Sequence, residues 1–177
     1  MVTALGNLGG GRVLPSEDVS TDDRIRRALA NCSKGEASRM TLPTTVRDLD
    51  LDALEDVVGW RDPRTPDRGV LLVPGERPVG IVLRAASTAV GSTAMCALCR
   101  TTHSPGGTAL FSAARKGARG RGGDTVGTYV CADLACAEHV RVERATAALR
   151  PAPGLSVDER RAGLRDRAAA FAAEVLA

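Results

Sequence analysis

The sequence predicts an α+β protein: short helices and a β-hairpin in its first half, a metal-stapled unit in its second, and one longer helix at its end. Three observations carry this. Four of the five cysteines stand in two tight pairs, Cys96-Ala97-Leu98-Cys99 and Cys131-Ala132-Asp133-Leu134-Ala135-Cys136. Apolar and β-branched runs are separated by Pro- and Gly-rich turns, the signature of hairpins. Apolar residues at helical spacing, each set led by a capping residue, stand near both ends of the chain.

Residues 1–18, with Gly9-Gly10-Gly11 at their centre, are expected to form a disordered tail. Ser20-Thr21-Asp22-Asp23 supplies a cap and an acidic first turn, with Ile25, Ala28 and Leu29 on one face, and predicts a helix to about Asn31. Ser33 and Glu36 have capping-box spacing and predict a second short helix. Cys32, between them, has no cysteine neighbour and reads as a small buried apolar residue. Leu49, Leu51, Leu54, Val57 and Val58 alternate with acids and predict one or two helical turns with a solvated acidic face. Gly59-Trp60-Arg61-Asp62-Pro63 reads as a turn, with Trp60 directed into the core. Gly69–Val73 and Val79–Ala85 then form a hairpin around the loop Pro74-Gly75-Glu76-Arg77-Pro78.

The second half is built around its cysteines. Two residues lie inside the first pair, four inside the second and thirty-one between them. A CxxC turn aims two thiolates at one point, and a second pair from a distant part of the chain completes a tetrahedron, which points to one structural zinc ion held by Cys96, Cys99, Cys131 and Cys136. Sulfur ligands favour zinc over magnesium or calcium. A redox CxxC belongs beside a βαβ pattern, which is not evident around Cys96. Four thiolates leave no open position for metal chemistry, and His103 and His139 are expected beside the metal without binding it. Thr108–Ala114 and Thr125–Val130 read as strands, with Phe111 in the core, joined by the glycine-rich basic turn Arg115–Gly123. A helix is expected from Leu134 to about Leu149, with Asp133 as its cap and Cys136 in its first turn. Knuckle, strand, turn, strand and ligand-bearing helix are the element order of a treble-clef zinc finger. After Pro151-Ala152-Pro153-Gly154, Ser156 caps a last helix to Leu176, with Leu164, Ala168, Phe171 and Val175 as its buried stripe. The expected organisation is therefore a tail (1–18), a helical and hairpin part (19–95), a treble-clef finger (96–150) and a C-terminal helix (151–177), with 19–177 as one body.

Charge is distributed unevenly. Residues 96–150 carry eight basic against four acidic side chains, whereas residues 1–95 carry twelve against thirteen. The basic surplus coincides with the metal unit and favours an anionic partner there, an acidic protein face or RNA. The contact residues expected from this are Arg115, Lys116, Arg119, Arg121 and Tyr129, with Arg141 and Arg144 beyond the last ligand. Only four aromatic side chains, Trp60, Phe111, Tyr129 and Phe171, argue against recognition of single strands by stacking. No apolar run reaches membrane-spanning length and the N-terminus lacks a basic-then-apolar leader, so a cytoplasmic protein without a membrane partner is expected. No nucleophile, base and orienting group stand together: Cys32 has no nearby histidine, and Asp50 and Asp52 read as solvated acids rather than a paired-carboxylate site. The chain is expected not to be an enzyme and to have no small-molecule substrate.

Four segments carry a specific resemblance: Asn31-Cys32-Ser33-Lys34-Gly35-Glu36-Ala37, Gly59-Trp60-Arg61-Asp62-Pro63, Met95-Cys96-Ala97-Leu98-Cys99-Arg100-Thr101-Thr102-His103, and Val126-Gly127-Thr128-Tyr129-Val130-Cys131-Ala132-Asp133-Leu134-Ala135-Cys136. On these residues the chain resembles the FBP domain family. It is similar to the C-terminal treble-clef part of FusB-type elongation factor G-binding proteins of fusidic acid resistance. The resemblance implies a structural zinc ion on the four cysteines. It also implies a finger that supplies contact surface to elongation factor G and promotes that factor's release from the ribosome. The longer N-terminal helical part of the resistance proteins has no counterpart in this sequence. A housekeeping role in translation, with or without elongation factor G binding, is therefore equally compatible with the resemblance; the rival reading, from the arginines, is direct binding to RNA or the ribosome.

Overall fold

Side-chain alternation sets the sheet. In Arg68–Val73 (β2), Leu71 and Val73 point to one core cluster and Val70 and Leu72 to another. A strand buried on both faces must lie inside a sheet with layers on either side. The computed structural model, which describes residues 19–177, shows that arrangement. The expected tail 1–18 lies outside the described residues.

The main sheet is antiparallel with order β1-β2-β3-β6-β7, formed by Val58–Arg61 (β1), β2, Val79–Ala89 (β3), Thr108–Ala114 (β6) and Thr125–Cys131 (β7). The predicted β2–β3 hairpin is present in register, with Val73 opposite Val79. β3 runs past Ala85 to Ala89, with a register shift against β6 between those residues. One face of the sheet packs on the last helix, Val157–Leu176 (α6), through Leu164, Ala168, Phe171 and Val175. The other face, at its β1–β2 end, packs on three short helices, Thr21–Ala28 (α1), Lys34–Arg39 (α2) and Thr44–Arg47 (α3), around Ile25, Met40, Leu42, Trp60, Val70 and Leu72. The caps are those the sequence predicts. Ser20 accepts from the Asp23 amide, and Ser33–Glu36 and Ser156–Glu159 form complete capping boxes.

Four expectations are corrected. The stretch from Leu49 to Val57 is not helical: Asp50 accepts the Asp52 amide at 3.0 Å, a local turn that competes with the helix, and the helical turn falls earlier as α3. Gly59-Trp60-Arg61 is strand β1 rather than a turn; the chain reverses after Asp62, whose carboxylate accepts the Arg64 amide at 2.9 Å. The basic segment after β6, expected as a glycine-rich turn, joins β6 and β7 as expected but contains a helical turn, Ala118–Arg121 (α4). A Cβ at Gly120 would lie 1.8 Å from the Arg115 carbonyl oxygen, so glycine is what lets this turn fold back on the strand end. The helix expected over residues 134–149 is one turn, Cys136–His139 (α5). Leu134 holds a left-handed φ of 63°, which starts the helix later, and the chain leaves it to form Leu149–Arg150 (β8). β8 pairs with Thr102–His103 (β5), which pairs with Ala94–Met95 (β4), in a small second sheet. Among the described residues no helix is long and apolar enough to cross a membrane.

Candidate metal centre

The four predicted ligands converge. β4 and β5 bracket the first pair: the Cys96 amide donates to the Thr101 carbonyl at 3.0 Å and the Arg100 amide to the Cys96 carbonyl at 3.0 Å. Arg100 takes a left-handed φ of 60°, closing the knuckle, and the Cys99 amide donates to Cys96 Sγ at 3.3 Å. The second pair comes from the end of β7 and the start of α5. The turn between them is held by the Leu134 amide on the Cys131 carbonyl (2.9 Å) and the Ala135 amide on Asp133 Oδ1 (3.0 Å).

All four sulfurs are buried, at 0–1 % exposure, and lie within 4.8 Å of one another. Cys96 Sγ is 3.7 Å from Cys136 Sγ, and Cys99 Sγ is 3.4 Å from Cys131 Sγ. A tetrahedral zinc ion with bonds of ~2.3 Å needs sulfur–sulfur edges of about 3.8 Å, whereas a disulfide needs ~2.0 Å. The donor set therefore fits zinc. Hydrogen bonding from Cys131, then Cys136 and Cys99, holds the Cys96 thiol far below the ordinary thiol range. Four thiolates share so small a buried space only around a cation, and these four cysteines form a zinc-binding site.

Two histidines support one ligand. His103 Nε2 lies 3.3 Å and His139 Nδ1 3.2 Å from Cys131 Sγ, with the rings edge to face at 4.8 Å. An N–H at either position donates to the thiolate and disperses its charge. Asp133 Oδ2, 3.3 Å from His139 Nε2, holds that imidazole's pKa up, while burial and then the neighbouring His139 push His103 down.

Backbone carbonyls of the metal loops are held by arginines from elsewhere. Arg167 of α6 donates to Leu98 inside the first pair, at 2.5 Å. Arg61 of β1 donates to Ala132 inside the second, at 2.5 Å, and Arg160 donates to Val142 at 2.7 Å. Leu134 plugs the β1–β2 end of the sheet. A Cβ at Gly59 would lie 2.3 Å from the Leu134 carbonyl oxygen, and one at Gly69 2.3 Å from its Cδ1. Sequence reasoning missed these roles. The usable signal was glycine inside a strand pattern, which marks a close approach.

The predicted contact residues divide. Arg115 is drawn inward onto Asp124 (3.3 Å) and Glu174 (3.2 Å). Arg119 pairs with Asp124 at 2.8 Å, and Arg141 with Asp56. Lys116, Arg121 and Arg144 are exposed, and Tyr129 on β7 is 50 % exposed. Cys32 is half-buried, and burial followed by the Glu36 charge raises its pKa.

No curated protein matches the chain. The family described as FBP C-terminal treble-clef zinc-finger matches it over residues 24–175, a span that takes in both cysteine pairs, the sheet and nearly all of α6. By that match and by its four-cysteine centre, this chain belongs to the FBP C-terminal treble-clef zinc-finger family.

Proposed function

We propose that this protein is a non-catalytic adaptor that binds a translation factor, elongation factor G, through its zinc-held finger, and promotes that factor's departure from the ribosome. Tyr129 is the observation that carries the reading. It is half exposed on the sheet's edge strand, and its carbonyl accepts the Ala97 amide of the knuckle at 2.7 Å. An aromatic side chain on a rigid, metal-locked element is the kind of anchor that dominates protein interfaces, because little entropy is lost when it is covered. Met95, 49 % exposed, leads into the same knuckle and supplies adaptable apolar area. Lys116 and Arg144 add positive charge suited to an acidic protein face. Membership of a FusB-like family supports a partner in translation, and the work would be done in the cytoplasm. The zinc ion supplies rigidity, not chemistry. Both histidines face Cys131 and neither faces Cys32, while Asp52 pairs with Arg24.

Titration calorimetry with purified elongation factor G tests this. Binding is expected, weakened at least about tenfold by Tyr129→Ala. No heat at tens of micromolar protein would remove the proposal. The basic surplus of the finger favours one second reading, direct binding to ribosomal RNA. That reading requires affinity to fall steeply and log-linearly with salt, whereas an interface centred on Tyr129 loses less.

A further inference from the structure

The described helices leave part of the sheet uncovered. Val70 and Leu72 of β2 are roofed by α1–α3, but the same face continues across the strand register to Arg84 opposite Ser112 and to Ala114 opposite Thr125, over which no helix lies among the described residues. Small and polar side chains form this floor. Two walls rise from it: the α1–α2 connection with Asn31 and Cys32, and the loop carrying α4 and Arg121. Together they enclose a cleft of about 440 Å³.

Each wall is built to stay in place. Asn31 donates to the Val82 and Ala114 carbonyls at 3.0 and 2.9 Å and accepts from the Val82 amide at 2.8 Å. Val82 and Ala114 are the residues that the β3–β6 register would set opposite one another, so the amide stands in for a missing ladder bond. The other wall is pinned by Arg115 on Asp124 and Glu174 and by the fold-back at Gly120.

The electrostatics of the lining are one-sided. Among the described residues Glu36 is its one acid, and both the Ser33 amide and hydroxyl already bond its Oε2, at 3.0 Å each. Arg84 faces Glu36 only at 3.7 Å, in an exposed contact that holds it weakly. Arg121 pairs with no acid among the described residues, unlike Arg115 and Arg119 beside it. Arg84, Arg121, Ser112 and Thr125 line the space from the α4 loop and three strands, and the Ser112 hydroxyl has only a long 3.5 Å bond to the Arg84 carbonyl to give up. Donors spread in three dimensions suit a tetrahedral oxyanion better than a planar carboxylate. Two guanidiniums match the near-dianionic charge of a phosphate monoester better than the single charge of a diester.

We propose that this cleft is a binding site for a terminal phosphate monoester, gripped by Arg121 and Arg84 over the Ser112–Thr125 floor, and separate from the surface around Tyr129.

Amide NMR of the zinc-loaded chain, titrated with inorganic phosphate at constant ionic strength, tests it. Saturable shifts are expected at Asn31, Cys32, Ser112, Thr125 and Arg121. Arg121→Ala and Arg84→Gln should each weaken binding about tenfold, and the exposed Arg150→Ala should leave it unchanged. Shifts that do not saturate, that lie elsewhere, or that survive both cleft variants would overturn the proposal. So would equal binding of succinate, or the same shifts from an RNA oligonucleotide lacking a terminal phosphate. Elongation factor G binding is not involved in any arm, so this site and the adaptor reading stand or fall separately.

Discussion

At the scale of single residues, the positions that hold the metal loops are mostly not ligands. Arg167 supports the carbonyl of Leu98 between two zinc cysteines, and burial before any other influence pushes its pKa down. Groups that orient ligand loops typically change metal affinity 10–100-fold when removed. Arg167→Ala is therefore expected to lower zinc affinity about tenfold, read by competition with a chromophoric chelator, and Arg167→Lys to recover part of the loss. Unchanged affinity would show that the contact is incidental. Gly59→Ala drives a methyl group into the backbone of Leu134, which cannot rotate away. A loss of about 1–3 kcal/mol in urea unfolding is expected, and an unchanged midpoint would mean that the loop yields freely. The four ligands were readable because their spacing is itself the chemistry. Arg167, Arg61 and Leu134 were not, because each acts on a backbone group far away in sequence.

Single elements show where local preference decides and where it yields. Ser33–Glu36 and Ser156–Glu159 start their helices as the sequence indicates, since a capping box is satisfied within four residues. The segment after Cys136 carries helix-forming residues, yet only Cys136–His139 is helical, because β8 must return to β5. One carboxylate ties this segment to two others. Asp56, before β1, meets Arg141 after α5 and Arg161 and Arg165 of α6 at 2.5, 2.8 and 3.5 Å. Burial alone would raise its pKa, but the Arg161 hydrogen bond and the charges of Arg141 and Arg161 outweigh it, and the pKa is lowered. A carboxyl depressed in the folded state stabilises above its ordinary value of 3.8 and loses that contribution as pH falls through the lower folded value. The wild type should therefore lose stability over that acid window more steeply than Asp56→Asn, with the variant less stable at neutral pH. Parallel pH profiles of the urea midpoint would show that the network contributes nothing.

For the whole molecule, the zinc site and the sheet share one core. Cys96, Cys99, Cys131 and Cys136 belong to the same buried cluster as Leu71, Ile81, Phe111, Leu164 and Val175. Zinc binding is on the order of 10 kcal/mol in small modules, comparable to the whole stability of a domain. Removing zinc with a strong chelator should thus melt β6, β7 and α6 together, in one transition seen by circular dichroism. A surviving transition with zinc gone would separate the finger from the sheet. By itself the sequence determined the ligand set, the β2–β3 and β6–β7 hairpins, the capped helices and the basic character of the finger, since each is encoded by residue types and spacings within one contiguous stretch of the chain. The tertiary structure decided that the finger's hairpin extends the N-terminal sheet and that α6 grips the first metal loop and β1 the second. It also decided that Arg115 turns inward and that Arg119 and Arg141 pair with acids at the surface, while Arg121, over a cleft, meets no acid among the described residues. Those outcomes depend on which carbonyls and carboxylates are brought within reach, and long-range packing, not local pattern, sets that reach.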